Sequence, residues 1–145
     1  MPTTTPRQGV RAAFKNILDA AELDVPVYER MPYGGAEQNS VVLTIVSGTS
    51  QRPAIGNRIT STEKGLEEHY RLQVDCYHND QTEADKLADA VEQIIMEAQD
   101  DLEETYGIFD VKKVVDIDTL PPASHLRETR ILMDFQFYTH RELTA

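Results

Sequence analysis

The period of the apolar positions changes several times along the chain, and each change falls beside a turn signal. Val10, Ala13, Phe14, Ile17, Leu18 and Ala21 recur at helical spacing, with Arg11, Lys15, Asn16 and Asp19 on the other side. That spacing predicts an amphipathic helix with one face on a core. Thr5-Pro6-Arg7-Gln8 reads as its start: Thr5 as cap, Pro6 at the first helical position, and Gln8 where a capping box takes Glu or Gln. Asp24 and Pro26 end it. "VPVYER" then reads as a short edge strand, because Pro26 has no N–H to give a central ladder, and "MPYGGAEQN" as a loop.

"SVVLTIVSG", Ser40 to Gly48, is a β-branched run that predicts a central strand. From Thr49 to Leu66 the chain turns polar, punctuated by Pro53, Gly56-Asn57 and Gly65, which predicts a long hairpin arm or exposed loop. Tyr70, Leu72, Val74 and Cys76 alternate with Arg71, Gln73, Asp75 and Tyr77, the period of a strand with one buried face. Asn79-Asp80 breaks the alternation. Asp80 with Glu83 three residues later reads as a capping box, and Ala84, Leu87, Ala88, Val91, Ile94, Ile95, Ala98 and Leu102 form an apolar stripe. One helix, Gln81 to Tyr106, ending by Gly107, is the expectation. "VKKVVDID" is a further strand, "TLPPAS" a turn, and Thr129, Ile131, Met133, Phe135 and Phe137 alternate down a last strand.

The order α-β-β-β-α-β-β predicts an α+β fold: a single, largely antiparallel (mixed) sheet with two helices packed on one face. At 145 residues the chain has the length of one domain, expected to span 1–145 with the arm at about 49–66 protruding from it. No stretch approaches the roughly 18 consecutive apolar residues that cross a bilayer, and Met1 to Pro6 lacks the charged and apolar regions of a secretory signal, so a soluble protein made inside the cell is expected. Cys76, the one cysteine, excludes an intramolecular disulfide and reads as a small buried hydrophobe.

Charge narrows the partners. Against 25 Asp and Glu stand 14 Lys and Arg, five of them Lys, giving a net charge of -11 spread from Asp19 to Glu142. Such a surface repels nucleic-acid phosphates, and its composition favours a protein from a halophile, whose self-repulsion is screened at molar salt. In this acidic chain Arg52, Arg58 and Lys64 all fall within the polar arm, which marks it as a candidate contact surface.

Motifs for chemistry are sparse. Gly34-Gly35 and Gly56-Asn57 have neither Walker nor dinucleotide-fingerprint spacing. His69, His78, His125 and His140 include no HxxxH or HExxH pair. Cys76 and His78 share a strand face but lack a third ligand, and Asp116 and Asp118 share a face as ordinary strand alternation allows in a chain rich in acids. Ser124-His125 has no orienting third group. No catalytic residue, cofactor or metal site is therefore expected, and the surface itself is the expected functional part.

The segments "NSVVLTIVSG", "EEHYRLQVDCYHNDQTEADKLADAVEQIIMEA" and "RETRILMDFQFYTH" together resemble the tail terminator, or tail-completion, proteins of tailed viruses, the group of the lambda minor tail protein U. The likeness falls on Val10 to Ala21, Val41 to Val46, Leu72 to Tyr77, Glu83 to Val91 and Ile131 to Tyr138, most of the chain, and is one of fold pattern without invariant functional residues. It implies a structural virion protein and no enzyme: a ring, usually of six copies, that caps the tail tube, stops its polymerisation and presents a surface to the head–tail connector. The implied partners are the chain itself, the tail tube protein and the connector, with DNA passing through the ring unread and no membrane involved. The implied place is the head–tail junction of the virion, after assembly in the host cytoplasm. The acidity and the long second helix depart from the bacterial pattern and suit a virus of a halophilic archaeon. Two alternatives stand beside it: a head-side connector or stopper, and a small cytoplasmic ligand-binding or enzymatic domain, which would need a cleft holding His78, Asp116 and His125.

Overall fold

A computed structural model describes residues 6–29, 39–51, 64–119 and 129–143. The described chain runs α1 (Pro6–Ala20), β1 (Val27–Tyr28), β2 (Ser40–Gln51), β3 (Lys64–His78), α2 (Gln81–Glu97), α3 (Gln99–Tyr106), β4 (Ile108–Thr119) and β5 (Thr129–Leu143). The five strands form one sheet in the order β1-β2-β3-β5-β4, with β1 parallel to β2 and every other pair antiparallel. This is the expected α+β class with a single mixed sheet. β3 and β5 pair over their whole lengths, from Lys64 opposite Leu143 to His78 opposite Thr129.

The core follows from the two periodicities. Val10, Ala13, Phe14 and Leu18 of α1, Ala84, Ala88, Val91 and Ile95 of α2, and Leu102 of α3 join one cluster with Val41, Leu43, Leu72, Val74, Cys76, Met133, Phe135 and Phe137. Phe14 packs on Phe137 at a tilt, ring centroids 5.2 Å apart, and Tyr70 stacks on it at 5.8 Å. Aromatic pairs at such distances add about 0.5–1.5 kcal/mol each to the burial of their area. At one end of this face Glu68 is buried and accepts the Tyr70 hydroxyl. Ala21 lies beyond the end of α1 and is exposed; the turn there is closed by Glu22, whose φ is 55°.

Three helices stand where two were expected, because the long helix is interrupted at Ala98. The Ala98 N–H bonds back to Ile94 and Ile95, and the Leu102 N–H to Ala98 opens α3. Across the break Gln99 pairs its side-chain amide with both backbone groups of Val111, donating to its carbonyl at 2.7 Å and accepting from its N–H at 3.3 Å. Gln99 thereby satisfies a strand residue with a side chain, and α3 is fastened to β4. Gly107 ends α3 at φ 66°, its N–H bonded to Leu102 and Glu103 carbonyls, the left-handed position that favours glycine.

The strands also outrun their expected limits. β2 continues from Gly48 to Gln51, and Lys64–Leu66 already belong to β3, so both ends of the polar span are strand; residues 52–63 lie outside the described residues. β4 starts at Ile108, three residues before the expected Val111, and carries register shifts at Phe109/Lys112 and Lys113/Val115, the first with Asp110 at φ 56°. These bulges interrupt the ladder of an edge strand, a usual guard against unwanted pairing.

Candidate interaction surface

The junction between β3 and α2 is built by its local residues. Asp80 caps α2, its Oδ1 accepting from the N–H groups of Thr82 at 2.8 Å and Glu83 at 3.3 Å. The return half of the expected box is made differently: the Asp80 N–H goes to His78 Nδ1 at 3.1 Å, and Glu83 turns outward to Lys86. His78 thus accepts, through Nδ1, the N–H of the residue that caps α2.

The face of the sheet away from the core cluster carries Arg71, Gln73, Asp75 and Tyr77 on β3 and Arg130, Leu132, Asp134, Gln136 and Tyr138 on β5, by strict alternation. The sequences "RLQVD" (71–75) and "RILMD" (130–134) place an Arg and an Asp four residues apart on each strand. Antiparallel register then brings the Arg of each strand diagonally beside the Asp of the other. Arg130 Nε lies 2.8 Å from Asp75 Oδ1, and Arg71 Nε lies 3.0 Å from Asp134 Oδ2. Gln73 sits between them and donates to Asp75 Oδ2 at 2.7 Å. The acids lie beneath, with side chains 5% and 10% exposed, while the arginines lie over them at 38% and 43%. The Arg130 guanidinium is held above its ordinary pKa by the hydrogen bond to Asp75, and it lies 5.9 Å from the Tyr77 ring. Among the described residues Asp134 Oδ1 is buried without a hydrogen-bond partner, and the Arg71 Nε contact is an ion pair without hydrogen-bond alignment.

Next to this lattice a row of rings crosses three strands: His69 to Tyr138 at 5.7 Å and Tyr138 to Phe109 at 5.4 Å. Beyond it the β4 bulges redistribute the side chains. Val111 enters the core, Lys112 shares the Gln136 register position, and Lys113 turns to α2, 2.9 Å from Glu92 and 2.8 Å from Asp116. Hydrogen bonds to Asp116 and Glu92 push the Lys113 pKa up. Ile117 and Val46, 46% and 45% exposed, leave apolar surface at opposite margins of the sheet.

Of the sequence candidates, Arg52 and Arg58 lie outside the described residues, and Lys64 opens β3 opposite Leu143. Cys76 is fully buried, its thiol pushed up to about 12 by burial and by the nearby Asp75 and Asp116 charges, so it is a protonated core residue. Asp116 is tied to Lys113 and lines an open groove of about 440 Å³ with Asp85, Asp89, Ala88, Ile131 and Met133. Ser124 and His125 lie outside the described residues. Among the described residues no group of three or more His, Cys, Asp or Glu is placed to hold a metal ion, and no helix is long and apolar enough to cross a membrane. Sequence reasoning missed the crossed arginine–aspartate pairs, although the repeated Arg-x-x-x-Asp spacing was their available signal. Neither protein-family models nor curated proteins give a match to this chain.

Proposed function

We propose that the chain is a structural virion protein: a tail terminator that forms a ring of six copies, caps the tail tube, stops its polymerisation and offers the surface on which head and tail join. The observation that carries this reading is the strand–cap–helix unit built from β3, Asp80 and α2, with β5 paired along the whole of β3. These are the segments on which the resemblance to tail terminators rests. The unit has a sheet surface of crossed ion pairs and rings that differs from its acidic helical surface, and two unlike surfaces permit the head-to-tail contact from which a ring is built when its rotation closes. A ring of this kind matches the tube end on one side and shows tube subunits a foreign surface on the other.

The ring sits at the head–tail junction of the virion, between tube protein and connector, and DNA passes through it without sequence-specific contact. The net charge of -11 supports a host with a salt-rich cytoplasm. Removing the gene tests the role: DNA-filled heads without tails, beside free tubes that are overlong or ragged at one end, are expected. Normal tails on heads in that mutant would exclude it. Free tails of normal length together with heads that leak DNA would move the assignment to a head-side connector.

A further inference from the structure

We infer that the sheet surface of one copy docks on the α2–α3 surface of a second copy of this chain. The inference rests on the ring reading above and names the contact that would build the ring.

The argument is charge complementarity between two surfaces of the same molecule. Although the chain is acidic overall, three of the four most exposed charged side chains described on or beside the crossed-pair surface are cationic: Arg71, Arg130 and Lys112, at 43%, 38% and 59% exposure, against Asp110 at 67%. Asp75 and Asp134 lie underneath, and Asp110 stands at the rim in the β4 bulge, 4.0 Å from Lys112. Residues 81–106 carry the opposite charge, with nine acids against Lys86 alone. Asp100, Asp101, Glu103 and Glu104 of α3 are all exposed.

Each surface also carries apolar material. The sheet side has Ile117, Val46 and the His69–Tyr138–Phe109 row; the helical side has Met96 and Tyr106, 40% and 36% exposed. Pairing like with like would set cations on cations or acids on acids, which costs several kcal/mol at an interface. Sheet against helices is the arrangement that avoids this, and because its two sides differ it propagates from copy to copy, as the ring reading requires, and does not stop at a two-fold dimer.

Two exposed charge reversals test it in the full chain by sedimentation velocity at low salt. Lys112→Glu with Gln136→Glu makes the sheet side acidic; Glu103→Lys with Glu104→Lys makes the end of α3 basic. The wild-type protein is expected to self-associate, and each variant alone to associate about tenfold or more weakly at the same salt. An equimolar mixture of the two is expected to recover association, since each then meets an opposite surface on both sides, and that recovery also shows both variants to be folded. A wild-type chain that stays monomeric up to its solubility limit, variants that associate like wild type, or a mixture that recovers nothing would each overturn the inference. No tail tube enters this test. Capping of tube ends by a chain that fails it would remove only this contact, and association without tube binding would remove only the terminator role.

Discussion

Arg130 Nε lies 2.8 Å from Asp75 Oδ1 across two strands, and the same relation is repeated in reverse between Arg71 and Asp134. Asp75 is buried, so Arg130 is the group that compensates its charge. Arg130→Ala is expected to destabilise the fold by about 2 kcal/mol, below the 3–5 kcal/mol of a fully buried pair because the arginine is partly exposed. Asp75→Asn with Arg130→Gln should recover part of that loss, since no unpaired charge is left behind. Urea unfolding of Asp75→Asn, Arg130→Gln and the variant carrying both measures the coupling; additive losses would show the pair to be inert.

Cys76 gives a pH dependence with a definite sign. Its thiol is raised from 9.0 to about 12 in the folded protein, chiefly by burial. Above the unfolded value the denatured chain loses this proton and the native chain keeps it, so the denatured state binds fewer protons. Stability is therefore expected to fall as pH rises from about 9 to about 12, and Cys76→Ala should remove that component of the slope. In the native protein the thiol should resist alkylation until the chain unfolds, which a timed labelling assay with and without urea would check.

Gly107 and Asp80 bracket the helical part of the chain. At φ 66° a side chain is strained, so Gly107→Ala is expected to cost about 1 kcal/mol even though no atom crowds the added methyl. Asp80→Ala, which leaves the N–H groups of Thr82 and Glu83 without their acceptor, is expected to cost about 1 kcal/mol. Thermal melting of both variants tests the pair, and unchanged midpoints would mean that α2 and α3 are held by their tertiary contacts alone.

Salt should raise stability. With a net charge of -11, repulsion among exposed carboxylates opposes the compact state. The screening length shortens from about 10 Å at 0.1 M to about 3 Å at 1 M, so the melting temperature is expected to climb over that range. A midpoint that does not move would count against an origin in a salt-rich cell.

What could be read in the sequence was what neighbouring residues decide. The strand ending at His78 and the cap at Asp80 are written within a few residues, and the structure places them as expected except for the return bond, which His78 makes in place of Glu83. The apolar stripe of α2 runs on through Leu102 in α3, so periodicity alone gives one helix; the break at Ala98 accompanies the bond of Gln99 to Val111, twelve residues away in an irregular strand. The crossed pairs show the same limit. Arg-x-x-x-Asp is visible twice in the chain, but only the register of β3 on β5 turns two spacings into two ion pairs.

The strand order has a consequence for how the molecule is made. β4 is synthesised before β5, yet β5 lies between it and β3. A nascent chain that has emerged as far as Thr119 holds β4 with no sheet neighbour, and β3 with one long edge open. An inner strand of the sheet is thus laid down last, and its pairing with β3 joins residues far apart in sequence, which slows folding compared with local pairing. The crossed ion pairs need Arg130 and Asp134 in place, so the surface inferred to meet a second copy is assembled only when β5 enters. Half-made chains therefore lack that charged surface, and the long edge of β3 stays open to other chains until β5 covers it.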